Sequence, residues 1–113
     1  MKILLLNITD KTILDSLRKL ESLQITNATI SNPALYPFPQ IVIIDFEKTI
    51  QFEKNERVLT DIAFRIAPPP RIVAFMEKWD NKHIELARSF GINTVLTYGD
   101  QNDYETLKSI ICQ

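Results

Sequence analysis

Gln40-Ile41-Val42-Ile43-Ile44-Asp45 decides the fold of this chain: four consecutive β-branched residues end in a carboxylate, and polar sequence able to start a helix follows at once. A continuous apolar run of this length reads as a strand buried on both faces, and such strands belong to parallel sheets covered by helices on either side. In open sheets of that kind ligands gather beyond the carboxyl ends of the strands. Position alone makes Asp45 a candidate site residue; the competing reading is a carboxylate that only caps the following turn.

Outward from this strand, two kinds of periodicity alternate along the chain. Lys2 to Leu6 read as a first strand, and Thr9 or Asp10 can cap a helix whose Ile13, Leu14, Leu17, Leu20 and Leu23 form one apolar stripe. Residues 25–30 alternate apolar and polar, which predicts an edge strand with one wetter face. Residues 31–39 hold Pro33, Pro37 and Pro39 and read as an irregular crossover into the Asp45 strand. Beyond it, Asn55 can cap a helix presenting Val58, Leu59, Ile62, Ala63 and Ile66, which Pro68, Pro69 and Pro70 end. Arg71 to Met76 form a fourth strand, and Asp80 or Asn81 starts a helix with Ile84, Leu86, Ala87 and Phe90 inward and Gly91 as its left-handed close. Residues 94–98 form a fifth strand. Asp103 can cap a last helix with Tyr104, Leu107, Ile110 and Ile111 at helical spacing. Five strands with helical crossovers predict an α/β doubly wound parallel sheet of flavodoxin-like order 2-1-3-4-5, with its switch point between strands one and three.

Composition narrows the function classes. With 113 residues and 45% hydrophobic content, the expectation is a single domain over 1–113 that buries roughly two thirds of its unfolded surface. Thirteen basic and fourteen acidic side chains nearly cancel, leaving a formal charge of -1 and no basic run for nucleic acid or an anionic membrane. Cys112 is the only cysteine, which fits a reducing cytoplasm and excludes an intrachain disulfide or a cysteine metal cluster. The two glycines, Gly91 and Gly99, build no phosphate-binding loop, and no serine stands in a nucleophile elbow. His83 has no cysteine or carboxylate at metal spacing and reads as a solvated helix residue; Glu47 could lend a carboxylate to the crevice beside Asp45 but reads first as a solvated loop charge.

At this point the chain resembles the receiver domain of two-component response regulators, the CheY-like family, over essentially its whole length. The motif IVIIDF puts Asp45 where receivers carry the phosphate-accepting Asp, and the interval from Met76 to Gly91 agrees with that from the end of strand four to the glycine closing helix four. The same alignment shows what is missing. The receiver's acidic pair at the end of strand one, which helps hold Mg²⁺, is Asn7 and Ile8 here. Its Thr or Ser at the end of strand four is Met76, with Glu77 next, and its Lys-Pro after strand five is Tyr98-Gly99. The aromatic that swings inside strand five is replaced by Val95, and FEKTIQFEKN lacks the Pro and Gly that shape the loop after the acceptor Asp. Phosphoryl transfer depends on positioning and on cations that neutralise spreading charge, so these losses together leave Asp45 without its helpers.

The resemblance therefore implies a degenerate receiver: a stand-alone pseudo-receiver signalling or adaptor domain that acts by protein-protein interaction, with no catalysis, metal or cofactor. Its vestigial phospho-site would comprise Asp45, Asn7, Ile8, Met76 and Tyr98. Receivers commonly meet partners or each other through helix four, strand five and helix five, a face that here offers Trp79, Arg88, Tyr98, Tyr104 and Lys108 to a protein partner or a homodimer. Leu35, Tyr36 and Phe38 on the proline-rich crossover are a rival surface. The alternatives are a phosphorylatable single-domain response regulator using Asp45 and a small flavodoxin-like metabolite-binding domain. With no output domain after Gln113, an effector would be a separate chain, unless this chain is a fragment of a longer one.

Overall fold

Side chains on a strand alternate between its two faces, so a sheet whose central strands are apolar at nearly every position must be covered twice. In the computed structural model, which describes residues 2–19, 39–112 and the backbone of 24–28, that is the architecture. The strands β1 (Lys2–Leu6), β2 (Gln24–Ala28), β3 (Ile41–Asp45), β4 (Arg71–Met76) and β5 (Thr94–Thr97) pair in parallel in the order β2-β1-β3-β4-β5. Helices α1 (Lys11–Arg18), α2 (Phe46–Ile50), α3 (Glu53–Arg65), α4 (Asn81–Ser89) and α5 (Gln101–Ile111) lie on the two faces. Leu4, Leu6, Val42, Ile44, Ala74 and Met76 pack with Phe46, Leu59, Ile62, Ile84 and Ala87 from α2, α3 and α4. The odd-numbered side chains Ile3, Leu5, Ile43, Val73 and Phe75 pack with Ile13, Leu17, Leu107 and Ile110 from α1 and α5. Each such side chain taken out of water contributes roughly 1.5–3 kcal/mol, which is why two apolar layers hold a chain of this size together.

Register fixes the site. Leu6 pairs with Ile44, Asp45 with Phe75, and Met76 with Thr97. Since β1 sends the chain one way to β2 and β3 sends it the other way to β4, a crevice opens at the carboxyl ends of β1 and β3, and Asp45 closes β3 at that crevice.

Four local expectations are corrected. A separate short helix, α2, begins directly at Phe46, ahead of the helix the sequence places from Asn55; the Asp45 carboxylate accepts from Lys48 N at 2.9 Å and so satisfies one orphan donor of its first turn. Asn55 does not cap α3, which starts two residues earlier at Glu53; its amide donates to Lys48 O at 3.4 Å, while Glu53 and Glu56 place negative charge in the first turn. Asp100, not Asp103, caps α5 by accepting from Asp103 N, and the Asp103 carboxylate accepts from Thr97 N at 2.7 Å. Leu86 points outward at 38% exposure, because Ile84 and Ala87, three apart, define the inner face of α4 and Leu86 lies off it. Leu20, Leu23 and the crossover residues Leu35, Tyr36 and Phe38 lie outside the described residues. No described helix is long and apolar enough to cross a membrane.

Candidate functional site

Asp45 ends a strand buried at every position and is itself only 7% exposed. Both oxygens of its carboxylate are engaged. Oδ1 accepts from Lys48 N, and Oδ2 accepts from the Tyr98 hydroxyl at 2.7 Å. Its carbonyl accepts from Thr49 Oγ1, also at 2.7 Å, so the residue is clamped at three atoms. Here the two readings of Asp45 coincide: it is at once the crevice carboxylate and the cap of the next element.

Tyr98 reaches Asp45 because the β5–α5 connection folds it back. Gly99 takes φ of +80°, a left-handed conformation costly for other residues, and its N–H donates to the Tyr104 hydroxyl at 2.7 Å. Thr97 N–H is held by Asp103, and the Tyr98 ring stacks on Phe75 with centroids 5.2 Å apart. Burial, first of all, pushes the Tyr98 phenol well above its ordinary range; its bond to Asp45 and the negative charges of Asp45, Asp10 and Glu47 push the same way. Tyr98 therefore stays protonated and serves as a neutral donor to Asp45.

The other candidate residues are placed less uniformly. Ile8 is buried in the layer against which Tyr98 packs. Asn7 stands just before it at φ of +59°, and its side-chain N–H₂ is buried with no hydrogen-bond partner among the described residues. Met76 is 1% exposed, but its side chain belongs to the opposite layer, with Phe46 and Ile84. The structure thus brings Tyr98 to Asp45 and sends Met76 through to the other face of the sheet. On the candidate interaction face Trp79 and Arg88 are exposed, Lys108 is exposed with its ammonium 3.6 Å from Glu105, and Tyr104 is a core residue at 9% exposure.

Sequence reasoning undervalued three neighbours. Glu47 is no loop charge: from α2 its carboxylate accepts from Glu77 N at 2.9 Å and ties that helix to the end of β4. Lys48 Nζ donates to Thr9 Oγ1 at 3.0 Å, closing the crevice on the β1 side. His83 is half-buried, sets its ring edge-on to Phe46, and helps line a cleft beside Asp45 with Glu47, Lys48 and Glu77. Contacts of this kind join separate elements, and no local spacing announces them. No group of three or more His, Cys, Asp or Glu among the described residues could hold a metal ion.

The fold, a parallel sheet wrapped by helices on both faces, is similar to that of known CheY-like response regulators. A CheY-like response regulator from Mesorhizobium loti matches with a TM-score of 0.69 at 12% identity, over 98% of this chain and 96% of that one. A response regulator in red light signalling of R. palustris gives 0.64 at 18% identity, covering 96% and 90%. A bacteriophytochrome response regulator gives 0.59 at 15%, covering 97% and 89%. At these identities the likeness is one of fold. No protein-family model matches the chain, and neither does any curated protein.

Proposed function

We propose that this chain is a pseudo-receiver: a signalling or adaptor domain of flavodoxin-like strand order that binds other proteins and is not switched by phosphorylation of Asp45. The observation that carries the reading is the Tyr98 hydroxyl 2.7 Å from Asp45 Oδ2. In the receiver alignment Tyr98 stands where a lysine pairs with phosphoryl oxygens. A neutral phenol held on the nucleophilic oxygen blocks the approach of a phosphoryl donor and supplies no positive charge to the transition state. Asn7 and Ile8 supply no negative oxygen ligands for Mg²⁺, and Met76 supplies no hydroxyl. The partner is a protein, a second copy of this chain included, and the compartment is the reducing cytoplasm.

Amide NMR of the chain with Mg²⁺ and beryllofluoride, a mimic of the acyl phosphate, tests this. The expected outcome is an unchanged spectrum at millimolar metal. Saturable shifts at the Asp45 mouth, lost in Asp45→Asn, would instead establish a phosphorylatable receiver.

A further inference from the structure

Trp79 is 63% exposed on the turn between β4 and α4, where its indole N–H donates to Asn81 Oδ1 at 3.2 Å and its ring has no described aromatic partner. It stands beside a groove formed by two adjoining hollows that share Glu47, Glu77 and His83; Lys78 and Asp80 complete the outer one. The Glu77 carboxylate makes no hydrogen bond or ion pair with any described residue, although its backbone N–H is bound by Glu47. An exposed indole next to carboxylates, one of them unengaged, is an arrangement in which a cation gains twice, from the ring face and from the opposite charge.

We infer that the groove of Glu47, Glu77, Trp79 and Asp80 docks an arginine-bearing peptide segment of a protein partner. Charge complementarity selects this occupant: the carboxylates of Glu47, Glu77 and Asp80 share the groove with Lys78 and with His83, whose Nδ1 is 3.9 Å from Asp80, while Lys48 on the inner wall is turned to Thr9. Glu47 and Asp80 accept from backbone N–H groups, and Glu77 is left to a ligand. A guanidinium is the best fit, since it stacks on an indole and pairs with a carboxylate through its planar fork. The inference rests on the protein-binding reading above and names the chemistry of the partner. It adds a contact at the mouth of the sheet, bordering the helix-four, strand-five and helix-five face, where Glu47 joins α2 to the turn bearing Trp79.

Trp79 is the only tryptophan, so its emission reports on this groove and nothing else. The probe is the blocked peptide acetyl-Gly-Arg-Gly-Arg-Gly-amide, with the citrulline analogue as neutral isostere. The expected result is a saturable emission change with the arginine peptide, weaker at raised salt, and at least about tenfold weaker binding of the citrulline peptide. Glu47→Gln with Glu77→Gln, which keeps an acceptor for the Glu77 amide, should weaken binding about tenfold with the fold intact. Trp79→Ala, followed by calorimetry, should do the same. Equal binding of the citrulline peptide, or no saturable binding of either, overturns the inference. So does concentration-dependent self-association that alone moves the Trp79 emission, which would make a second copy the occupant. The beryllofluoride experiment is independent: absent peptide binding with an unchanged beryllofluoride spectrum removes this groove and leaves the pseudo-receiver reading standing.

Discussion

Asp45 and Tyr98 lie 53 positions apart in sequence and 2.7 Å apart in space. Removing the phenol oxygen in Tyr98→Phe strips a partner from a buried carboxylate, at a cost of about 1–3 kcal/mol. Asp45→Ala loses the same bond and the cap of α2, itself about 0.5–2 kcal/mol, so it should destabilise more in chemical denaturation. The double variant should fall short of the sum of the singles, and strict additivity would mean the bond is not formed. The raised Tyr98 pKa gives a second outcome, with a definite sign. The unfolded phenol releases its proton near pH 10.0 while the folded one keeps it, so the contribution is complete below that pH and is lost as pH rises above it. Denaturation midpoints measured from neutral pH upward should therefore decline beyond about pH 10, and less steeply in Tyr98→Phe.

Among the elements, β4 repeats the lesson of the residues. Met76 at its end fills space between Phe46, Ile84 and Ala87, and Met76→Ala should cost about 2–5 kcal/mol by leaving a cavity. Met76→Thr, which restores a receiver-like hydroxyl, should also destabilise. A loss under about 0.5 kcal/mol for Met76→Ala in a denaturation series would place the side chain in water. The bounds of β4, the inner positions Ile84, Ala87, Tyr104 and Leu107, and the closing role of Gly91 at φ of +77° were legible in the sequence, because apolar periodicity and glycine placement are local signals. What was not legible was α2. Five residues with no cap but a strand-terminal Asp have no helical period to detect, and both Asn55 and Asp103 offered a capping residue type where the helix in fact begins upstream. The site divides along the same line. Asp45 could be found from its strand, whereas the inward turn of Tyr98 depends on Gly99, Tyr104 and Asp103 acting across a connection.

In the whole molecule the link from the mouth to the β5–α5 connection runs through the Tyr98 hydroxyl on Asp45, while Val95 is half-buried against the first layer and Met76 is buried within that layer. On the proposed pseudo-receiver reading, the α4–β5–α5 face is expected to keep one conformation and to bind constitutively. Among Trp79, Arg88, Tyr98 and Tyr104, at least one alanine variant should stay folded yet lose self-association or partner binding by about tenfold, with Trp79 and Arg88 the cleanest because both are exposed. If all four bind normally while changes at Leu35, Tyr36 and Phe38 abolish association, the interface lies on the crossover instead. The double duty of Asp45 reaches further still. A phosphoryl group joined to Oδ2 as an acyl phosphate would displace the Tyr98 hydroxyl and turn Oδ1, which caps α2, from a carboxylate oxygen into a carbonyl oxygen, so the chemistry and the scaffold draw on the same two atoms. On the proposed reading, an acidic pair, a hydroxyl and a lysine grafted in place would act epistatically with the first turn after β3, whose cap is the same carboxylate.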